Sequence, residues 1–136
     1  AFRIEAATAR IRDPAALRAT VARELDALHY TPATSSRALL PPLTAAAAAL
    51  TAVDPADAAA YAAQVVRIGT VDSLTAERSA IVGRGLLLGA RAAGVRGDRA
   101  RAAALARQAV APLTFGLGAD HPLSLQAVAL RDSLSH

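Results

Sequence analysis

Apolar residues return along this chain at helical intervals. Behind Asp13-Pro14, the residues Leu17, Val21, Leu25 and Leu28 fall at i, i+4, i+8 and i+11, with Arg18, Arg23, Glu24 and Asp26 off that stripe. An aspartate can accept from the free N–H groups of a first turn, and proline fits the first helical position, so a helix is predicted over 14–29. Tyr30-Thr31-Pro32 breaks it. Leu39, Leu43, Ala46, Leu50 and Val53 form the next stripe, which Pro41-Pro42 should kink or restart. Asp54-Pro55 opens a third helix, carried by Ala58, Tyr61, Val65 and Ile68 as far as Gly69.

Over 73–93, Leu74, Ile81 and Leu88 recur every seven residues, Val82, Leu86 and Ala92 widen the face, and Gly83, Gly85 and Gly89 thin it. Each glycine inside a helix costs about 1 kcal/mol relative to alanine. Three together predict a tightly packed neighbour. Gly94 and Gly97 should end this helix and Asp98 should cap the next, in which Ala102, Leu105, Ala106, Ala109, Val110 and Leu113 fit an amphipathic pattern. Residues 116–120 read as a loop, and Pro122 opens a last helix with Leu123, Ala127, Val128, Leu130 and Leu134. The opening segment, 2–11, lies between helix and strand, with helix favoured. Six or seven helices on short links make antiparallel neighbours.

Composition strengthens the all-α reading. Hydrophobic residues are 54% of the 136, yet there are only two Phe and two Tyr, so the apolar fraction is mostly alanine with leucine and valine. Alanine is the strongest helix former, and a core built from it needs closely approaching backbones. The length suits one domain. Without cysteine there is neither a disulfide framework nor a thiolate metal site. The longest uncharged stretch, 38–53, contains Pro41 and Pro42 and is too short and too weakly apolar to span a bilayer, so a cytoplasmic protein with no membrane contact is expected. A start at Ala1 and the lack of methionine suggest a processed chain or a fragment. All fifteen basic residues are arginine, which reads first as codon usage.

The run from Gly97 to Pro122, GDRARAAALARQAVAPLTFGLGADHP, resembles a tetratricopeptide repeat of the longer kind found in kinesin light chains and actinobacterial regulators. A turn glycine (Gly97), spaced Ala102, Leu105 and Ala109, and a closing Gly118-Ala119-Asp120-His121-Pro122 follow in the family's order. Strictly the likeness covers about a fifth of the chain, and about half with the flanking helices over 73–93 and 122–134. It implies stacked helical hairpins over 73–134, with 1–72 an irregular helical extension; an irregular bundle is the other arrangement. Pro112 inside the second helix, and the lack of an Asp-His-Pro ending near 70–73, depart from the pattern.

Candidate chemistry is sparse. His29 is expected in the last turn of a helix, where an imidazole suits the dipole, His121 belongs to the turn motif, and His136 ends the chain. No two histidines share a metal-ligand spacing, and Gly83, Gly85 and Gly89 follow no strand, so neither a metal, a dinucleotide cofactor nor a catalytic set is expected. Asp54, Asp57 and Asp98 read as caps and first-turn acids. Charge is uneven, however. Between Glu77 and Arg107, seven arginines face two acids, a net +5, while the remaining eight arginines and nine acids sum to −1. Arg84 and Arg91 share a helical face, and Arg96, Arg99 and Arg101 surround the following turn. The plain reading is a solvated face; the sharper ones are an acidic protein or peptide partner and, behind it, nucleic-acid phosphate. Missing lysines and scarce aromatics count against nucleic acid. A protein-interaction scaffold is therefore expected, with those five arginines as candidate partner-binding residues and a second copy of the chain as another partner. The runners-up are the C-terminal regulatory domain of an actinobacterial transcriptional regulator and a small-ligand or enzymatic helical domain with no catalytic residue to name.

Overall fold

The structure, a computed structural model, describes residues 2–70 and 75–135, the side chain of Phe2 excepted. The described residues form seven α-helices and no strand: α1 (Phe2–Thr8), α2 (Pro14–Ala27), α3 (Leu40–Leu50), α4 (Pro55–Gly69), α5 (Ala76–Val95), α6 (Arg99–Leu117) and α7 (Pro122–Leu134). None is long and apolar enough to cross a membrane. The predicted Ser73 start and Leu74 lie outside the described residues, as does His136.

Helix starts follow the local chemistry. Asp13 accepts from the Ala16 N–H at 3.0 Å, Asp54 from Asp57 at 3.2 Å, Thr75 from Arg78 at 3.3 Å and Asp98 from Arg101 at 3.1 Å. His121 does the same through Nδ1, accepting from the Leu123 N–H at 3.1 Å. Pro41 and Pro42 do not kink a helix: they fall in the first turn of α3, where a short 3-10 turn (Arg37–Leu39) hands over and a proline's missing N–H costs nothing.

Helix ends depart from expectation in several places: α3 stops at Leu50, short of Val53, and α5 runs on through Gly94 to Val95. α2 stops at Ala27, so His29 lies beyond its last turn, in the left-handed region at φ 59°. The His29 N–H donates to Asp26 O at 2.9 Å and the Tyr30 N–H to Leu25 O at 3.1 Å, the pair of bonds that closes a helix around a left-handed residue. Gly97, at φ 80°, ends α5 in the same way, with the Asp98 N–H donating to Ala93 O at 2.9 Å. Asp98 thus closes one helix and caps the next. At the other end of that hairpin, α6 continues through Gly116 and Leu117 into the expected loop and stops only at Gly118, φ 93°. Pro112 sits inside α6; its own carbonyl accepts from the buried Ser79 hydroxyl of α5 at 3.0 Å.

From α3 onward each helix packs chiefly on its neighbours in sequence, while α1 lies against α2 and α3. The larger apolar cluster joins Ile4, Leu17, Val21, Leu25, Leu43, Leu50, Val65 and Ile68 and reaches Ala92 of α5. A second, around Val82, Leu87, Leu113 and Ala127, links α5, α6 and α7. The tight neighbour expected for the α5 glycines is present. A Cβ on Gly83 would lie 2.6 Å from Leu113 Cγ and 2.9 Å from the Leu113 backbone nitrogen, and one on Gly85 would lie 2.9 Å from Val65 Cγ1. α6 returns the device: a Cβ on Gly116 would meet Ala76 O at 2.5 Å.

Candidate functional site

α5 packs on α4 along one side and on α6 along the other, and a cleft lies between those two walls over α5 residues that are themselves buried. Gly85, Gly89 and Ala93, spaced four apart, form the floor of the resulting cleft because they have almost no side chain to fill it. Ala59, Ala62, Ala63 and Val66 of α4 make one wall, and Leu105 and Gln108 of α6 the other. The enclosed volume is about 260 Å³. That is below the 300–1,000 Å³ of clefts that bury a drug-sized ligand.

The cleft is graded along its length. Near Gly85 it is blind, since Val65 and Val66 press on α5 there. At Gly89 it narrows to a slot: the site of an added Cβ lies 3.3 Å from Leu105 Cδ1 and 3.8 Å from Ala62 Cβ. Carbon atoms in contact stand about 3.5–4.0 Å apart, so the floor itself is crowded and a bound side chain would lie above it. Beyond Ala93 it opens at the α5–α6 turn, where Arg96, Asp98 and Arg101 ring the mouth. Asp98 is committed to capping α6. Among the described residues, neither Arg96 nor Arg101 is engaged by an ion pair or side-chain hydrogen bond, and both are exposed.

The structure divides the five candidate arginines. Arg96 and Arg101 line the cleft on the α4 side. Arg91 and Arg99 turn towards α7 instead, Arg91 Nη2 donating to Gln126 Oε1 and Arg99 Nη2 to Ser133 O at 3.2 Å. Arg84, exposed on α5, shares the helical face of Arg91 by its seven-residue spacing. The basic hairpin therefore presents two separate surfaces. Sequence reasoning missed the alanine wall of α4 altogether, although the Gly85, Gly89, Ala93 spacing carried a signal of an open stripe.

A second, shallower pocket lies against α7, lined by Arg91, Gln126, Ala129, Leu130 and Ser133. Among the described residues no group of three or more His, Cys, Asp or Glu could hold a metal ion. The aromatic pair Tyr30–Tyr61, edge-on at 6.0 Å, belongs to the α2–α4 junction. Burial pushes both phenols up; at Tyr30 the Arg67 charge pulls the other way, and at Tyr61 Asp57 adds to the rise. Asp57 is itself raised, by burial first and then by Asp54. No family model matches the chain, and no curated protein or solved structure gives a significant match.

Proposed function

We propose that this chain is a protein-interaction scaffold of stacked helical hairpins, of the tetratricopeptide type that residues 97–122 resemble, and that it binds a segment of a partner protein in the cleft over α5. The observation that carries the reading is the cleft over the small-residue floor of Gly85, Gly89 and Ala93, which lies between two helices and ends at two unengaged guanidinium groups. Packing that floor against a leucine would bury more apolar surface, and at Gly83 the same helix does so. An apolar slot open at a charged end suits the side chains of a peptide. Arg96 and Arg101 supply planar, permanently charged forks for a carboxylate.

The test is a selection of short random peptides displayed on phage against the folded protein, with Gly89→Leu as the counter-selected variant. Peptides that bind the parent and lose binding when leucine fills the slot support the scaffold reading. If selection yields no binder, or binders indifferent to Gly89→Leu and to the rim variant Ala63→Leu, the cleft is not a docking site.

A further inference from the structure

Resting on the scaffold reading, we infer that the cleft recognises an extended acidic segment in which one aliphatic side chain, leucine or methionine, stands two residues from an aspartate or glutamate. The width admits a side chain only. Leu105 Cδ1 and Ala62 Cβ stand no more than about 7 Å apart across the Gly89 floor, which leaves no room there for a backbone. A side chain can enter while the backbone that bears it rides above the rim.

The cavity of about 260 Å³ takes side chains and not a folded element. Charge orders the aliphatic and the acidic side chain. The hydrocarbon belongs in the slot at Gly89, and the acid belongs at the mouth, where Arg96 and Arg101 stand without partners among the described residues.

Distance sets the spacing. Arg96, which follows directly on α5 with helical backbone angles, stands seven residues beyond Gly89, about 10.5 Å along the axis at 1.5 Å per residue. In an extended chain, residues i and i+2 point to the same side and lie about 6.6 Å apart, and an arginine stem spans the difference. The aliphatic-x-acid pattern puts both side chains on the cleft at once. An acid at i+1 would point away from it.

Fluorescently labelled Leu-Ser-Glu in a Gly/Ser frame is titrated against the parent protein, R96Q/R101Q and Gly89→Leu, each first shown to be helical by circular dichroism. The expected result is a Kd about tenfold weaker in R96Q/R101Q, the sum of two modest exposed charge pairs. A comparable loss is expected when the peptide leucine becomes serine, together with weakening as salt rises. Peptides that lose binding in Gly89→Leu but are unaffected by R96Q/R101Q, or that require the acid at i+3 or i+4, overturn this inference and leave the scaffold reading standing. Absence of binding to this peptide also overturns the inference alone, whereas binding unchanged by both Gly89→Leu and Ala63→Leu overturns both.

Discussion

At the scale of single residues, the chain shows how local chemistry sets boundaries and where it carries strain. Asp13, Asp54, Asp98 and His121 cap their helices through bonds that span two or three residues, which is why the starts were legible before any packing was known. His29 was not legible. Its left-handed φ is imposed by the bonds closing α2, and nothing about a histidine announces that role. A side chain in that region costs of order 1 kcal/mol, which glycine avoids. His29→Gly should therefore raise unfolding stability by about 0.5–1 kcal/mol in urea denaturation, despite glycine's greater freedom in the unfolded chain. A loss of stability would mean that the imidazole makes a contact worth more than the strain.

The Tyr30–Tyr61 pair gives a second prediction at this scale. Both phenols have folded pKa values raised by burial, so the folded state holds their protons more tightly than the unfolded chain does. That stability is present below the ordinary tyrosine value of about 10 and is lost as pH rises through the raised folded values. Thermal melts should fall more steeply between neutral and strongly alkaline pH in the parent than in Tyr61→Phe. Equal slopes would show that ionisation at this junction carries no stability.

At the scale of elements, the glycines of the α5–α6 hairpin separate into those that packing requires and those it does not. Gly83 and Gly116 sit where a Cβ would press on the backbone of the facing helix, whereas Gly94 has nothing within 4 Å of an added Cβ. Gly94→Ala should stabilise the fold by about 0.5–1 kcal/mol through helix propensity, and Gly83→Ala and Gly116→Ala should destabilise it by about 1–3 kcal/mol through overpacking. Equal effects at the three positions, read by urea unfolding, would contradict the close approach. That Gly83 meant tight packing was legible from its cost inside a helix, but Gly116 read as the start of a loop and Gly94 as a helix end. Which neighbour each one faces was not legible, because that depends on how α5 is rotated between α4 and α6.

α4 also anchors the connection that precedes α3. Arg67 donates to the carbonyls of Pro32, at 3.3 Å, and Thr34, while its Nε donates to Gln64 Oε1 at 2.7 Å. This one side chain spans more than thirty residues of sequence to fix a polar loop that has little apolar surface to hold it. Arg67→Ala should speed amide hydrogen exchange across 31–36 and leave α5 and α6 unchanged. Uniform acceleration over the whole chain would instead make Arg67 a determinant of global stability.

At the scale of the whole molecule, the number of helices, most of their starts and the all-α class followed from alanine content and helical spacing. The cleft did not. Its floor was visible as a small-residue stripe on α5, but its walls come from α4 and α6, and only their packing on opposite sides of α5 makes a slot of the stripe. The arginine cluster suffered the same limit: one dense run of charge in sequence becomes two surfaces, with Arg91 and Arg99 tied to α7 and Arg96 and Arg101 left at the cleft mouth. The unengaged arginines at the cleft are thus confined to one side of the hairpin.

Methyl-labelled protein offers the most direct view of that face, since Ala62, Ala63, Ala93 and Leu105 place methyl groups along the cleft. Titrating the unlabelled Leu-Ser-Glu peptide and recording methyl chemical shifts should move these four resonances together and leave those of Ala129 and Leu130, beside Arg91 on α7, in place. Shifts confined to α7, or none at any peptide concentration, would contradict the account.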